Sequence, residues 1–247
     1  PAGKAEARQF REQARSLYAQ GRTAGALGTL ASLCQGLGRY SRSEKLYFRA
    51  LAIAESAFPP DDLEIAGLLN GLVVLHKYQG RYDAAEAWAR RSVDLRERAH
   101  GPDHPAVAAG KAALAAILDA QGRFEAAEAL YGEALDVFER VHGPEHHEVA
   151  VSFNNLAAIC QTKGEYAEAE ELYRRALAIK EKVLEKDHPD TALTLHNLAT
   201  LLTTVGRITE AQPLYRKALE VFERRLGKEH PHTLVCREGL EALGGSR

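Results

Sequence analysis

The chain predicts an all-α solenoid of stacked antiparallel helical hairpins, and three observations carry that reading. Glycine recurs every 42 residues, at Gly38, Gly80, Gly122, Gly164 and Gly206, and leucine keeps the same spacing at Leu30, Leu72, Leu114, Leu156, Leu198 and Leu240. Self-similarity at one fixed interval marks a repeat architecture, whose units cannot bury their apolar faces alone and must stack. Between the glycines the apolar positions follow helical spacing. Charge is also segregated: residues 149–162 and 191–205 hold no Asp, Glu, Lys or Arg, while the segments after them are densely charged.

The unit from His146 to Pro189 shows the pattern in full. Phe153, Leu156, Ala157 and Cys160 share one helical face, and Gly164 stops the run. Tyr166, Ala169, Leu172, Tyr173, Ala176 and Leu177 then form a second stripe, with Glu, Lys and Arg on the opposite side. Two such helices back to back make one hairpin.

Residues 1–247 read as a single repeat domain. Residues 4–20 predict an N-terminal capping helix with Phe10, Ala14, Leu17 and Tyr18 as its apolar side, outside the 42-residue lattice. A stack needs such an element over its first exposed face. Residues 21–60 form a divergent first repeat, closed by Phe58-Pro59-Pro60-Asp61, because proline cannot continue a helix. Repeats follow at 61–103, 104–145, 146–187 and 188–229, and residues 230–244 supply a C-terminal capping helix.

Packing explains the recurring residue types. Small side chains fall where helices approach: Ala31, Ala115, Ala157 and Ala199 in first helices, then Ala85, Ala127, Ala169 and Ala211, and Ala50, Ala134, Ala176 and Ala218 in second helices. Tyr47, Tyr131, Tyr173 and Tyr215 fill the space between them. Trp88 shares the column of Leu46, Leu130, Leu172 and Leu214 and reads as interhelical filling, whereas Pro213 should loosen one backbone bond inside a second helix.

Hydrophobic residues at 45% and charged residues at 27% exclude a largely disordered chain. A net charge of −2 excludes a global attraction to nucleic acid or anionic lipid. Residues 1–60 nevertheless carry nine Lys/Arg against four Asp/Glu. Those arginines are spaced along helices without interleaved aromatics, so they read as a solvated face. Cys34 and Cys160 hold the same repeat position three units apart and cannot pair within one chain. With Cys236 they read as reduced, buried or half-buried thiols of a cytoplasmic protein. The longest uncharged runs, 23–38 and 191–206, are sixteen residues each, too short to be membrane spans. A start at Pro1 and the lack of any Met read as a fragment of a longer protein.

The small residue in the first helix, Gly at the turn, an aromatic two later, and Ala, Tyr and Ala on the second helix together resemble the tetratricopeptide pattern. The unit of 42 residues, with Asn154-Asn155-Leu156-Ala157, Gly164-Glu165-Tyr166-Ala167-Glu168-Ala169-Glu170, Tyr173-Arg174-Arg175-Ala176-Leu177 and Asp187-His188-Pro189-Asp190, is similar to the cargo-binding repeats of kinesin light chains. The likeness is strong over 62–240 and weaker over 23–61. It implies a right-handed solenoid whose first helices line a concave groove, and a groove that holds peptides with its Asn-Asn pairs. Asn154-Asn155 matches that pair in full, Asn197 keeps its second member beside His196, Asn70 keeps its first, and Ala112-Ala113 keeps neither.

The groove positions are Gly67, Asn70, Gly71, Val74, Lys77 and Tyr78, then Ala109, Ala112, Ala113, Ala116, Asp119 and Ala120. In the later units they are Val151, Asn154, Asn155, Ala158, Gln161 and Thr162, then Leu193, His196, Asn197, Thr200, Thr203 and Thr204. The expected peptide contacts are Asn70, Lys77, Tyr78, Asp119, Asn154, Asn155, Gln161, His196, Asn197 and Thr200. An asparagine side chain both donates and accepts, so one amide can pair with both polar groups of a peptide backbone. The alternative is that these amides satisfy neighbouring backbone or solvent.

His104, His146, His188 and His230 also recur every 42 residues. Equivalent residues of adjacent hairpins lie roughly 16–20 Å apart, two helix layers, while zinc needs nitrogens at about 2.0–2.1 Å. They therefore read as loop and helix-start residues, with no metal or cofactor expected. No nucleophile-base set, phosphate loop or paired-carboxylate motif stands out, so the chain is not expected to be an enzyme. The leading expectation is a scaffold or adaptor that holds a protein or peptide segment, with no nucleic-acid or membrane partner and an oligomeric state left open, monomer included. A sensory or autoinhibitory module of a larger regulated enzyme or signalling protein is the alternative, and self-association through the outer second helices or an uncovered end a third.

Overall fold

A computed structural model of the chain describes residues 2–19 and 21–244, and among them twelve α-helices and no strand occur. They are α1 (Ala2–Ala19), α2 (Thr23–Gly36), α3 (Tyr40–Ala57), α4 (Leu63–Tyr78), α5 (Tyr82–His100), α6 (Pro105–Ala120), α7 (Phe124–His142), α8 (His147–Lys163), α9 (Tyr166–Val183), α10 (Pro189–Thr204), α11 (Ile208–Arg225) and α12 (Pro231–Gly244). Gln20, the last residue of the expected capping helix, lies outside the described residues. Two compact units are present, Pro1–Ala127 and Glu128–Arg247.

In the first unit α2 pairs with α3 and α4 with α5, α1 packs on α2, and α6 packs on α5. In the second unit α8 pairs with α9 and α10 with α11, and α12 closes against α11.

The turn within each hairpin follows from its glycine. Gly38, Gly80, Gly122, Gly164 and Gly206 all have φ between 69° and 84°, a region that costs a residue with a Cβ. At Gly80 the amide donates to the Lys77 carbonyl and the Arg81 amide reaches back to His76, so the last carbonyls of α4 are satisfied in a Schellman motif. The same pair of bonds recurs at the other four glycines.

From α4 onward the first helices begin on a side-chain cap that keeps the 42-residue register, while α2 follows Arg22 without one. Asp62 accepts from the Glu64 amide at 2.8 Å. In the equivalent place the Nδ1 atoms of His104, His146, His188 and His230 accept from the amide two residues on, at 3.1, 3.4, 3.1 and 3.3 Å. The periodic histidines are therefore helix N-caps, each satisfying one of the amides a helix start leaves unpaired.

The cores follow the alanine and tyrosine columns. Every alanine named above in those columns is fully buried, and all four tyrosines lie below 5% exposure. The first unit packs Leu51, Ile65, Leu69, Leu72, Leu75 and Leu95 around Tyr47, with Trp88 half-buried against them and edge-on to Phe48 at 5.9 Å. The second unit packs Leu195, Leu198, Leu202 and Phe222 around Tyr173 and Tyr215. Cys34, Cys160 and Cys236 are buried free thiols. Pro213 lies inside α11, and no helix among the described residues is long and apolar enough to cross a membrane.

Candidate functional site

In the first unit, α2 and α4 frame a cavity of about 450 Å³. Four glycines line it, Gly25 and Gly28 on α2 and Gly67 and Gly71 on α4, and a Cβ would stand 2.9 Å from Glu64 Oε1 at Gly25 and 2.7 Å from Leu68 at Gly28. At Gly71 the space is taken by a neighbour, since a Cβ there would stand 2.3 Å from the Tyr47 ring, whereas a Cβ on Gly67 would meet nothing within 4 Å. Asn70 and Val74 line the cavity from exposed positions, and Ser32 meets the Tyr47 hydroxyl at 2.8 Å. Glu64 faces the same space. Its Oε2 receives Arg22 at 3.2 Å, but its Oε1 is buried and has no hydrogen-bond partner.

Further along α4, Lys77 and Tyr78 are exposed, Tyr78 by 69%. Asp119 at the end of α6 is half-buried; burial raises its carboxyl above the usual range, and the Lys77 charge opposes the shift. Behind the floor, His76 is 2% exposed and its Nε2 meets Glu44 Oε1 at 3.1 Å, while Arg81 donates to the same oxygen at 2.8 Å. Burial lowers the His76 pKa, so this imidazole is a neutral structural donor.

In the second unit the two members of the Asn-Asn pair part company. Asn154 is buried, and its Oδ1 accepts from the Thr194 hydroxyl at 3.1 Å and from Asn197 Nδ2 at 3.2 Å, both on α10. Thr194 in turn receives Lys180 Nζ at 3.0 Å. Lys180 is 2% exposed, its other bond goes to the Asp190 carbonyl at 3.2 Å, and burial lowers its pKa against the opposing pull of Asp190. Asn155, one position on, is half-buried and makes no side-chain hydrogen bond to any described residue.

The tyrosine hydroxyls surface on this floor. Tyr215 meets Thr200 at 2.9 Å, and Tyr173 donates to Gln161 Oε1 at 3.3 Å. His196 stands edge-on to Tyr215 at 5.5 Å, with a buried Nδ1 that has no partner. Burial, reinforced by His232, lowers its pKa and keeps the ring neutral. The structure thus brings Asn154, Asn155, Gln161, His196, Asn197 and Thr200 onto α8 and α10 of one unit, and Asn70, Lys77, Tyr78 and Asp119 onto α4 and α6 of the other.

Sequence reasoning missed Glu64, the tyrosine hydroxyls and Lys180. It also missed a trio behind α8, where the ligand atoms of Cys160, Glu165 and Glu168 lie within 4.8 Å of one another. Desolvation and the neighbouring carboxylates push the Cys160 thiol up to about 11, so the sulfur stays protonated at neutral pH and is a poor metal ligand.

A family model for the tetratricopeptide repeat matches residues 22–97, 64–140, 110–182, 150–224 and 190–243. No curated protein sequence matches the chain. Among solved structures, BtubC (BKLC) from P. vanneervenii is similar at 28% identity and a TM-score of 0.73, with 92% of each chain covered. A structure described as kinesin light chain nearly identical TPR-like repeats, from Podosopora anserina, has 23% identity and a TM-score of 0.66, covering 81% of this chain and 94% of its own. The apo form of RapI has 15% identity and a TM-score of 0.70, covering 90% and 83%. The last two likenesses bear on the fold alone.

Proposed function

The chain belongs to the tetratricopeptide-repeat family, and on that premise we propose that it is a non-enzymatic scaffold or adaptor that holds a peptide segment of a partner against its first helices. The observation that carries this reading is the cavity between α2 and α4, where a buried carboxylate oxygen of Glu64 lacks a hydrogen-bond donor. A buried acceptor without a partner costs stability unless a donor arrives, and an amide of an extended peptide supplies one. Exposed Asn70 offers a second point of backbone contact, and Lys77, Tyr78 and Asp119 continue the surface along α4 and α6.

In the second unit Asn155 has the uncommitted amide and is the principal contact, with Gln161, His196, Asn197 and Thr200 around it. Asn154 serves by fixing Asn197. The three buried free thiols accord with a reducing, cytoplasmic setting.

The experiment is to select peptides against the chain by display, then titrate the best of them calorimetrically against the wild type, Asn70→Ala and Asn155→Ala/Asn197→Ala. Weakened binding in either variant is expected. Selected peptides that bind both variants as tightly as the wild type would remove the first helices from the account.

A further inference from the structure

A second cavity, of about 560 Å³, lies away from the groove, where α2 is flanked by α1 and α3. Its apolar lining comes from Ala14, Ala26, Leu27 and Leu30, and Arg11, Arg15 and Tyr18 of α1 and Arg49 of α3 stand around it. Residues 2–19 precede the segment matched by the repeat-family model, so this cavity depends on an element added to the repeats.

No carboxylate lines the cavity. The shortage is general at this end of the molecule. The described acidic side chains of residues 8–60 are Glu12, Glu44 and Glu55, and each is already committed: Glu12 to Arg8 at 2.9 Å, Glu44 to Arg81 and His76, and Glu55 to Arg91. Arg11, Arg15 and Arg49 are exposed and make no hydrogen bond or ion pair with any described residue. By contrast, Arg123 is matched with Glu86 at 2.9 Å and Arg207 with Glu170 at 2.7 Å.

We infer that this cavity is a docking site for an acidic peptide segment carrying apolar anchors: a Leu- or Phe-type side chain on the apolar lining, with Asp or Glu on either side reaching the arginines. Guanidinium groups bind carboxylates through paired hydrogen bonds. They approach from two different helices with α2 between them, so one apolar group needs carboxylates on both flanks. An acidic peptide supplies that arrangement, and a fatty acid with a single head group does not. A nucleic acid would use the arginines but leave the apolar lining empty and find only Tyr18 for stacking. The site is separate from the groove proposed above.

The test uses a short fluorescein-labelled peptide in which a Leu-Phe pair is flanked by Asp and Glu, a matched peptide with Asn and Gln in their place, and a single-stranded oligonucleotide. Anisotropy titrations should show binding of the acidic peptide, weakened by salt, and none of the neutral one. Arg15→Glu/Arg49→Glu should reduce affinity about tenfold or more with an unchanged circular dichroism spectrum, while Asn155→Ala/Asn197→Ala leaves it as in the wild type. The inference fails if the acidic peptide does not bind, if charge reversal leaves its affinity unchanged, or if the oligonucleotide binds as tightly. A loss in the asparagine variant alone would place the peptide in the groove and overturn the inference as well.

Discussion

The side-chain oxygen of Asn154 accepts a hydrogen bond from the Asn197 amide at 3.2 Å, tying together two first helices from neighbouring hairpins. The same oxygen holds Thr194. Asn154 is thereby withdrawn from the surface that its neighbour Asn155 presents.

This division separates stability from binding. Replacing Asn154 by Ala leaves the Asn197 amide without its acceptor and Thr194 with only the Asp190 carbonyl at 3.3 Å, and should cost about 1–3 kcal/mol. Asn155→Ala should change stability by less than about 0.5 kcal/mol. Urea denaturation followed by circular dichroism measures both, and equal losses would contradict the arrangement.

Lys180 should impose a penalty that depends on pH. Its folded-state pKa is lowered from the ordinary 10.5 of a lysine, so the folded protein releases that proton first and stability rises as pH climbs from the folded value towards 10.5. Below that window the charge is buried without a hydrogen-bonded carboxylate. Lys180→Met should accordingly be as stable as the wild type or more so at neutral pH, and its advantage should narrow as the solution becomes alkaline. Thermal melts of both proteins across that range decide it; a variant that loses stability at neutral pH would show that the ammonium is needed.

The histidine caps predict an ordered series. His104→Ala should cost about 0.5–2 kcal/mol, the usual loss for a cap. His104→Asp should restore stability or exceed it, because Asp62 already caps α4 at 2.8 Å and a carboxylate also suits the positive end of a helix. Chemical denaturation of the three proteins gives the order, and His104→Ala equal to the wild type would deny the cap any role.

Two glycines on one helix should respond oppositely to alanine. Gly71→Ala forces a methyl group against the Tyr47 ring and should destabilise by about 1–3 kcal/mol through overpacking. Gly67→Ala meets open space and should stabilise by about 0.5–1 kcal/mol, since glycine is a poor helix former. Differential scanning calorimetry of the pair tests this, and shifts of the same sign would refute it.

Hairpin order, turn positions and core columns were legible because each is a periodic choice between large, small and flexible residues. The histidines were read as loop and helix-start residues, which agrees with their place at helix N-caps, and Asp62 in the same register was the signal for the capping bond itself. Lys180 escaped because second helices carry dense surface charge, although the residues 42 before and after it, Phe138 and Phe222, are both buried. Asn154 and Asn155 could not be told apart, since both lie on the uncharged side of their helix and only the placement of α10 against α8 decides which of them is paired. Glu64 Oε1 was hidden for a similar reason, its environment being made by glycines on another helix.

The glycine between hairpins is lost twice in its register, at Pro59 and at Glu185. Gly101, Gly143 and Gly227 turn the chain between hairpins with positive φ, but Glu185 stands where the next glycine is due, and Asp187 adopts φ 65° instead. Likewise the arginine of positions 39, 81, 123 and 207 is Glu165 in the remaining repeat, and Lys163 meets Glu128 at 3.0 Å in its stead.

The contact between Tyr47 and Gly71 restricts how such a protein can be rebuilt. The phenol of one hairpin occupies volume that a side chain of the following hairpin would otherwise claim, and Tyr215 and Gly239 repeat the arrangement. Hairpins are consequently not freely interchangeable cassettes. Moving the hairpins that hold Tyr47 or Tyr215 demands that the tyrosine and its downstream glycine travel across the cut together, whereas Tyr131 and Tyr173 have Asn155 and Asn197 at that offset and carry no such demand.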